Sequence, residues 1–293
     1  NLLLKLNGGY FMPSLKGFLH SSIMGFKEAS RGWKINSKFT LLLYELIRLI
    51  PNFIEQRYPS ISSIKKRLMR TLLKRAVIKY RGCKFQVVDN ECLAILSEKF
   101  ESWAWDYMKV PKDGVFIDVG AHVGRYTIPI AKFLNKGIVV AVEAAPENYA
   151  ALIKNVKLNE LNNILVFNVA AWREEDELTL HFSEYSGRHT VKGSSNLGYR
   201  VLARPIDAII AEYGIKRVDL VKVDVEGAEV EVLEGMKRSI EKFKPNLLIE
   251  VSWANAENVY KFLKEMNYEI EEIPHSQTLS YFYLFCHARE GAH

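Results

Sequence analysis

The chain has 293 residues, 48% hydrophobic and 25% charged, the proportions of an ordinary folded protein able to build a core without disulfides or structural metal. Its three cysteines (Cys83, Cys92, Cys286) lie far apart without metal-ligand spacing, which argues against a zinc site or a disulfide framework and makes a reducing, cytoplasmic setting the expectation. The net charge of +6 is uneven: residues 1–110 hold 19 Lys and Arg against 8 Asp and Glu, and the remainder holds 21 against 26.

Residues 1–81 read as a basic helical extension. The first apolar run, Leu2–Leu4, is too short for a signal peptide, and a chain beginning at Asn1 is expected to lack its natural start. Ser37 is placed to cap a helix carrying Leu41, Leu42, Leu43, Leu46, Ile47 and Ile50, ended by Pro51. The longest apolar stretch, Phe39–Ile54, is interrupted by Glu45 and Arg48 and falls short of the ~20 apolar residues a span needs. Ile64–Val77 interleaves Lys65, Lys66, Arg67, Arg70, Lys74 and Arg75 with Leu68, Leu72, Leu73 and Val77, a basic amphipathic helix. Such a helix either docks as a cap on the following domain, the commoner fate, or makes a peripheral membrane contact. A solvated face is the plainer reading of the same charge.

From residue 82 to 293 the pattern changes. Lys84–Val88 predicts a strand and Glu91–Tyr107 one aromatic-rich helix. Five β-branched apolar runs follow: Val115–Val119, Ile138–Val142, Ile164–Val169, Leu220–Val225 and Leu247–Val251. Helical patterns separate them at Arg125–Leu134, Glu147–Asn159, Ile206–Tyr213 and Ala228–Phe243. Glu257–Met266 adds a helix, and Tyr268–Ile273 and Leu279–Phe285 two more strands. The alternation predicts a doubly wound, Rossmann-like α/β fold with a mostly parallel seven-stranded sheet.

The first buried strand runs into Asp118-Val119-Gly120-Ala121-His122-Val123-Gly124. In a doubly wound sheet this turn is where a nucleotide-like ligand binds. Gly120 permits a tight turn and a close approach to the ligand, and Gly124 close packing of helix on strand. Asp118 is placed to reach a cationic amino group, and Glu143, 23 residues after Gly120, to accept hydrogen bonds from a ribose diol. Where a dinucleotide site has its middle glycine, Ala121-His122 stands, and an acid beside the loop repels phosphate. The combination favours S-adenosylmethionine over NAD or NADP, with Asp118, Gly120, Ala121, His122, Gly124, Glu143, Ala144 and Ala170 as the expected cofactor-binding positions.

The second cluster is Leu220-Val221-Lys222-Val223-Asp224-Val225-Glu226-Gly227. Lys222 and Asp224 share one strand face, where charges are costly to bury unless paired or functional. Asp224, at a strand's carboxyl end, is the expected contact for the acceptor, with Glu226 and Lys222 beside it. Glu229 is expected to serve a helix N-terminus, and Glu250 to extend the acidic rim. Ser183–Tyr199, with Tyr185, Gly187, Arg188, His189 and Ser194-Ser195, reads as a lid or acceptor loop, or equally as an ordinary connection.

Together these segments resemble the FkbM family of S-adenosylmethionine-dependent methyltransferases. The likeness lies in Asp118–Gly124, in Val142-Glu143 with Pro146, Leu152, Asn155 and Asn159, in Arg204–Asp207, and most specifically in Leu220–Gly227 continued through Gly235. It spans about residues 84–285 and departs at His122, where Asn is common, and at Ala144, where Pro often follows the acid. The resemblance implies a class I methyltransferase sheet and methyl transfer to a hydroxyl of a sugar, glycolipid or secondary metabolite. An RNA methyltransferase gripping through the basic segment is the alternative, though no recognisable RNA-binding module is present, and a non-catalytic cofactor-binding protein comes after it. No metal site is predicted.

Overall fold

The computed structural model describes residues 4–5, 11–12, 29–50, 52–183, 186–193, 197–274 and 276–289. The chain divides into two compact units, Asn1–Ala94 and Ile95–His293.

In the N-terminal unit, strand β1 (Leu4–Lys5) pairs antiparallel with β2 (Phe11–Met12). Helices α1 (Ile35–Arg48), α2 (Asn52–Arg57) and α3 (Pro59–Leu73) follow, then the hairpin of β3 (Val77–Tyr80) and β4 (Cys83–Gln86) and helix α4 (Asn90–Ile95). Leu41 and Tyr44 of α1 and Leu72 and Leu73 of α3 are buried, and the Tyr44 hydroxyl donates to Asn90 Oδ1 at 2.7 Å. Three expectations change here. Ser37 lies inside α1, where its Oγ accepts the Val77 N–H at 3.2 Å, and the cap position is Lys34. Val77 is strand, because Ile78 and Tyr80 are buried on one side of the pleat and Lys79 exposed on the other. The hairpin closes across residues 81–82, so the units divide later than the pattern change suggests.

The second unit begins with α5 (Ala104–Tyr107). The continuous helix expected over Glu91–Tyr107 is instead α4 and α5 separated by a turn, in which Glu101 adopts φ +41°. The seven-stranded sheet has the order β13-β14-β12-β11-β5-β6-β7. Its strands are β5 (Val115–Val119), β6 (Ile138–Val142), β7 (Ile164–Phe167), β11 (Leu220–Val223), β12 (Asn246–Ser252), β13 (Tyr268–Glu272) and β14 (Tyr281–Ala288). Six run in one direction, and β14 alone lies antiparallel, between β12 and β13. Strands β5 and β11 are buried along their whole length, which is why they read as apolar runs without alternation.

Helices α6 (Thr127–Phe133), α7 (Pro146–Leu158), α8 (Ile206–Glu212), α9 (Glu229–Gly235), α10 (Lys237–Phe243) and α11 (Ala256–Glu265) lie between the strands in sequence. The helix expected over Ala228–Phe243 is broken at Met236 into α9 and α10. Unforeseen is a second sheet, in which β10 (Gly198–Arg204) sits between β8 (Ala170–Ala171) and β9 (Asp176–His181). The chain thus has the expected doubly wound, seven-stranded, mostly parallel α/β architecture. Among the described residues, no helix is long and apolar enough to cross a membrane.

Candidate active site

After β5 the chain goes to one side of the sheet, and β11 and β12 fill the other, so β5 and β11 flank the point where the strand order reverses. A crevice outside the carboxyl ends of the strands forms at such a point. Here the two expected clusters meet. Gly120 has φ +80°, and a Cβ added to it would stand 1.8 Å from the Asp224 carbonyl oxygen. Only glycine fits, in conformation and in space. The Gly120 and Ala121 N–H groups both donate to Val142 O (2.9 and 3.0 Å), tying the turn to β6. A Cβ on Gly124 would stand 2.7 Å from Leu152 Cδ1, so that glycine lets the turn pack against α7.

Glu143 joins this turn to the next one. Its Oε2 accepts the His122 N–H at 2.7 Å, and its Oε1 accepts the Ala145 N–H at 2.9 Å and Asn148 Nδ2 at 3.4 Å. Burial pushes the Glu143 carboxyl up to about 7, against the pull of the Ala145 and His122 N–H groups. His122 has φ +51°, and its Nε2 lies 2.9 Å from Ser186 Oγ. Asn148 Nδ2 also donates to Ser186 O at 2.8 Å, so residue 186, within the stretch read as a lid, an acceptor loop or an ordinary connection, is held beside the glycine turn. Tyr185 and Ser194-Ser195 of that stretch lie outside the described residues. Asn168, which sequence reasoning passed over, donates to Glu143 O and Ala144 O (2.9 and 3.0 Å). Ala144 is half-buried there, and Ala170 is buried in β8 opposite Ala203.

Asp118 is 1% exposed and serves α6: its Oδ2 accepts the Thr127 N–H at 3.1 Å and the Thr127 hydroxyl at 2.5 Å. Its other oxygen, Oδ1, is buried without a hydrogen-bond partner. Desolvation raises the Asp118 carboxyl, with Lys222 and the Thr127 hydroxyl opposing.

Lys222 is sealed beneath Asp224. Its ammonium donates to Asp224 Oδ2 at 2.8 Å and lies 5.1 Å from the centre of the Tyr126 ring, with the Lys222 side chain 2% exposed and that of Asp224 28%. Burial opposes the charge on Lys222, but Asp224 and Asp118 outweigh it and hold the ammonium above its ordinary range. Desolvation likewise pushes the Asp224 carboxyl up, and Lys222 and a hydrogen bond with the Glu250 carboxyl bring it below the usual range. Lys222 thus presents almost no surface of its own and is paired with Asp224. Beyond Asp224 the chain turns with φ +52° at Glu226 and +104° at Gly227. Glu229 Oε1 accepts the Gly227 N–H at 2.8 Å and its Oε2 accepts from Asn255, so Glu229 holds this turn. The Glu226 carbonyl accepts the Thr190 hydroxyl at 2.7 Å.

Behind Asp224 lies a buried chain of acids that the sequence did not disclose beyond Glu250. The Tyr283 hydroxyl stands 2.8 Å from Glu250 Oε2 and 3.0 Å from Glu101 Oε1, and the Tyr126 hydroxyl donates to Glu101 Oε2 at 3.1 Å. Tyr283 has one hydrogen to give. The second contact is a hydrogen bond only when that carboxyl carries the proton itself. Desolvation, with Asp224 close by, raises both glutamates, Glu250 well above its ordinary range.

The strand order places both clusters at the switch point of a doubly wound α/β domain. The FkbM methyltransferase domain matches residues 118–270, more than half of the chain, and the chain belongs to that family. It is 24% identical over 179 residues to Methyltransferase 1 of Beauveria bassiana, covering 54% of this chain and 72% of that protein. Over 193 residues it is 25% identical to Methyltransferase sdnD of Sordaria araneosa, covering 55% and 74%. The crystal structure of Methyltransferase FkbM from Methylobacillus flagellatus superposes with a TM-score of 0.46 at 18% identity, covering 91% of this chain and 59% of that one.

Proposed function

We propose that the protein is an S-adenosylmethionine-dependent O-methyltransferase acting on a hydroxyl of a sugar, glycolipid or secondary metabolite. The observation that carries this reading is the close approach of Gly120 to the Asp224 main chain, which sets a cofactor turn and a partly exposed carboxylate against one another at the switch point. The surrounding residues suit the cofactor. Glu143 uses three of roughly four acceptor positions on its carboxylate, leaving room for a ribose hydroxyl. The orphaned Asp118 Oδ1 has acceptor capacity for a cationic amino group or a water bound to it. Only a residue without a side chain at Gly120 lets the turn sit this close to the Asp224 carbonyl.

Bound there, S-adenosylmethionine supplies a methyl group already activated for transfer. The protein's part is to align an acceptor oxygen and take its proton, and alignment alone is worth about 7–11 kcal/mol. Asp224, partly exposed and kept ionised by Lys222, accepts the hydrogen bond of the incoming hydroxyl. A carboxylate of low basicity receives the proton late, once the methylated oxygen has become strongly acidic. Glu250 and Tyr283 behind it fix the orientation of that carboxylate, and Lys222 lowers the cost of its charge. Glu226 stands in the adjoining turn as a second acidic contact for the acceptor.

Calorimetry with S-adenosylmethionine, with NAD as control and the Glu143→Ala variant alongside, tests the cofactor. Binding of S-adenosylmethionine alone, weakened by the substitution, supports the reading. Its absence in folded protein, including in the presence of candidate acceptors, overturns it.

A further inference from the structure

The N-terminal unit carries apolar side chains where its own packing does not need them. On α1, Leu41 and Tyr44 already form a buried inner face. Ile35, Phe39, Leu43 and Leu46 nonetheless stand outward, spaced by four, four and three residues, which places them in one stripe ~16 Å long. They are 81%, 67%, 37% and 55% exposed. Helix α3, which packs against α1, repeats the arrangement: Leu72 and Leu73 are buried, while Ile64 and Leu68 are 64% and 42% exposed. Isolated exposed apolar residues are ordinary, but a repeated stripe on neighbouring helices is not.

The charge beside these stripes has one sign. Between residues 29 and 75 there are eleven Lys and Arg against two acids, and both acids are engaged, Glu45 with Arg48 and Glu55 with Lys65. Lys38, Lys66, Arg67, Lys74 and Arg75 are exposed. A helix with a second apolar face and a basic border is suited to lie in the plane of a lipid surface, with its apolar residues below the headgroups and its cations among the phosphates. A nucleic acid would satisfy the charge and leave the apolar stripe in water. A second protein copy would cover the stripe and bring like charges together.

We propose that the outer faces of α1 and α3 dock the protein reversibly on an anionic bilayer. This goes beyond the methyl-transfer reading and does not depend on it. The test is co-sedimentation of the full chain with phosphatidylcholine vesicles with and without phosphatidylglycerol, at low and high salt. Three proteins are compared: wild type, Phe39→Glu with Leu43→Glu, and Lys66→Gln with Arg67→Gln, Lys74→Gln and Arg75→Gln. All substituted side chains are exposed, and circular dichroism checks that folding is kept.

Wild type is expected to bind only the anionic vesicles, less at high salt. The glutamate pair is expected to lose at least about tenfold in partitioning, because two apolar side chains no longer enter the interface. The glutamine set is expected to lose roughly several hundredfold, at roughly fivefold for each of its four cations. Absence of wild-type binding to anionic vesicles overturns the proposal. So does binding that the glutamate pair leaves unchanged. Two further results do the same when vesicle binding is absent: self-association that the glutamate pair disperses, and RNA binding that only the glutamine set weakens.

Discussion

The two units of the chain use charge in opposite ways. Asn1–Ala94 holds seventeen Lys and Arg against five Asp and Glu, and among its described residues most of the cations are exposed. Ile95–His293 holds twenty-three against twenty-nine, and its decisive charges are inside: Asp118, Glu143, Lys222, Glu229 and Glu250 are all buried. A surface charge shapes what the molecule meets and adds little to stability. A buried charge must be answered residue by residue, and the answers here are neighbours with fixed geometry. The first unit is therefore expected to tolerate substitution of its charges, and the second to register each one.

The strongest test of that contrast is Gly120→Ala. A Cβ driven into the Asp224 carbonyl at φ +80° should abolish measurable S-adenosylmethionine binding and destabilise the fold by roughly 1–3 kcal/mol or more, read by calorimetry and thermal unfolding. Next comes Asp224→Asn. With the proton acceptor gone but the shape kept, kcat should fall by about 10²–10⁴ while cofactor affinity changes little. Retained activity would remove Asp224 from the reaction.

A smaller effect separates Glu143 from the surface acids. Its folded value of about 7 lies above its ordinary 4.5, so the stability linked to it is complete below about pH 4.5 and is lost as pH rises through about 7. Ribose hydroxyls donating to the ionised carboxylate favour the opposite state. S-adenosylmethionine affinity should therefore fall as pH drops below about 7, by up to ~10-fold per unit, with proton release on binding. Glu143→Gln should bind more weakly and flatten that dependence. The smallest effect belongs to the first unit: Phe39→Ser should shift stability by no more than about 0.5 kcal/mol, whereas Leu41→Ala on the inner face of the same helix should cost about 2–5 kcal/mol.

Some of this architecture was legible in the sequence, for a physical reason. Strands buried on both faces are written as β-branched runs, and all seven of the main sheet lie where such runs or the final alternating segments fall. The small sheet escaped because Asp176–His181 and Gly198–Arg204 are only partly buried and their apolar pattern is interrupted by Asp176, Glu177, Arg200 and Arg204. The break at Glu101 escaped because apolar spacing cannot reveal one residue with positive φ. Ser37 has the chemistry of a cap, yet its hydroxyl is taken by a strand N–H forty residues away. At the crevice, the ends of β5, β6 and β11 drew attention because acids interrupt or end apolar strands. Glu101 and Tyr283 did not, since 182 residues separate them and only the closed sheet brings them to one another.

That closure has a consequence for the order in which a nascent chain matures. Strand β14 is inserted between β12 and β13, so the sheet's interior gap is filled by the last of its strands to leave the ribosome. The strands bearing Gly120, Glu143 and Asp224 emerge earlier and have partners among themselves. Until residues 281–288 arrive, β12 presents an open hydrogen-bonding edge, and Glu250 lacks the tyrosine that orders it. A chain stalled at that stage has a formed glycine turn, an adhesive flank and an unfinished acid network.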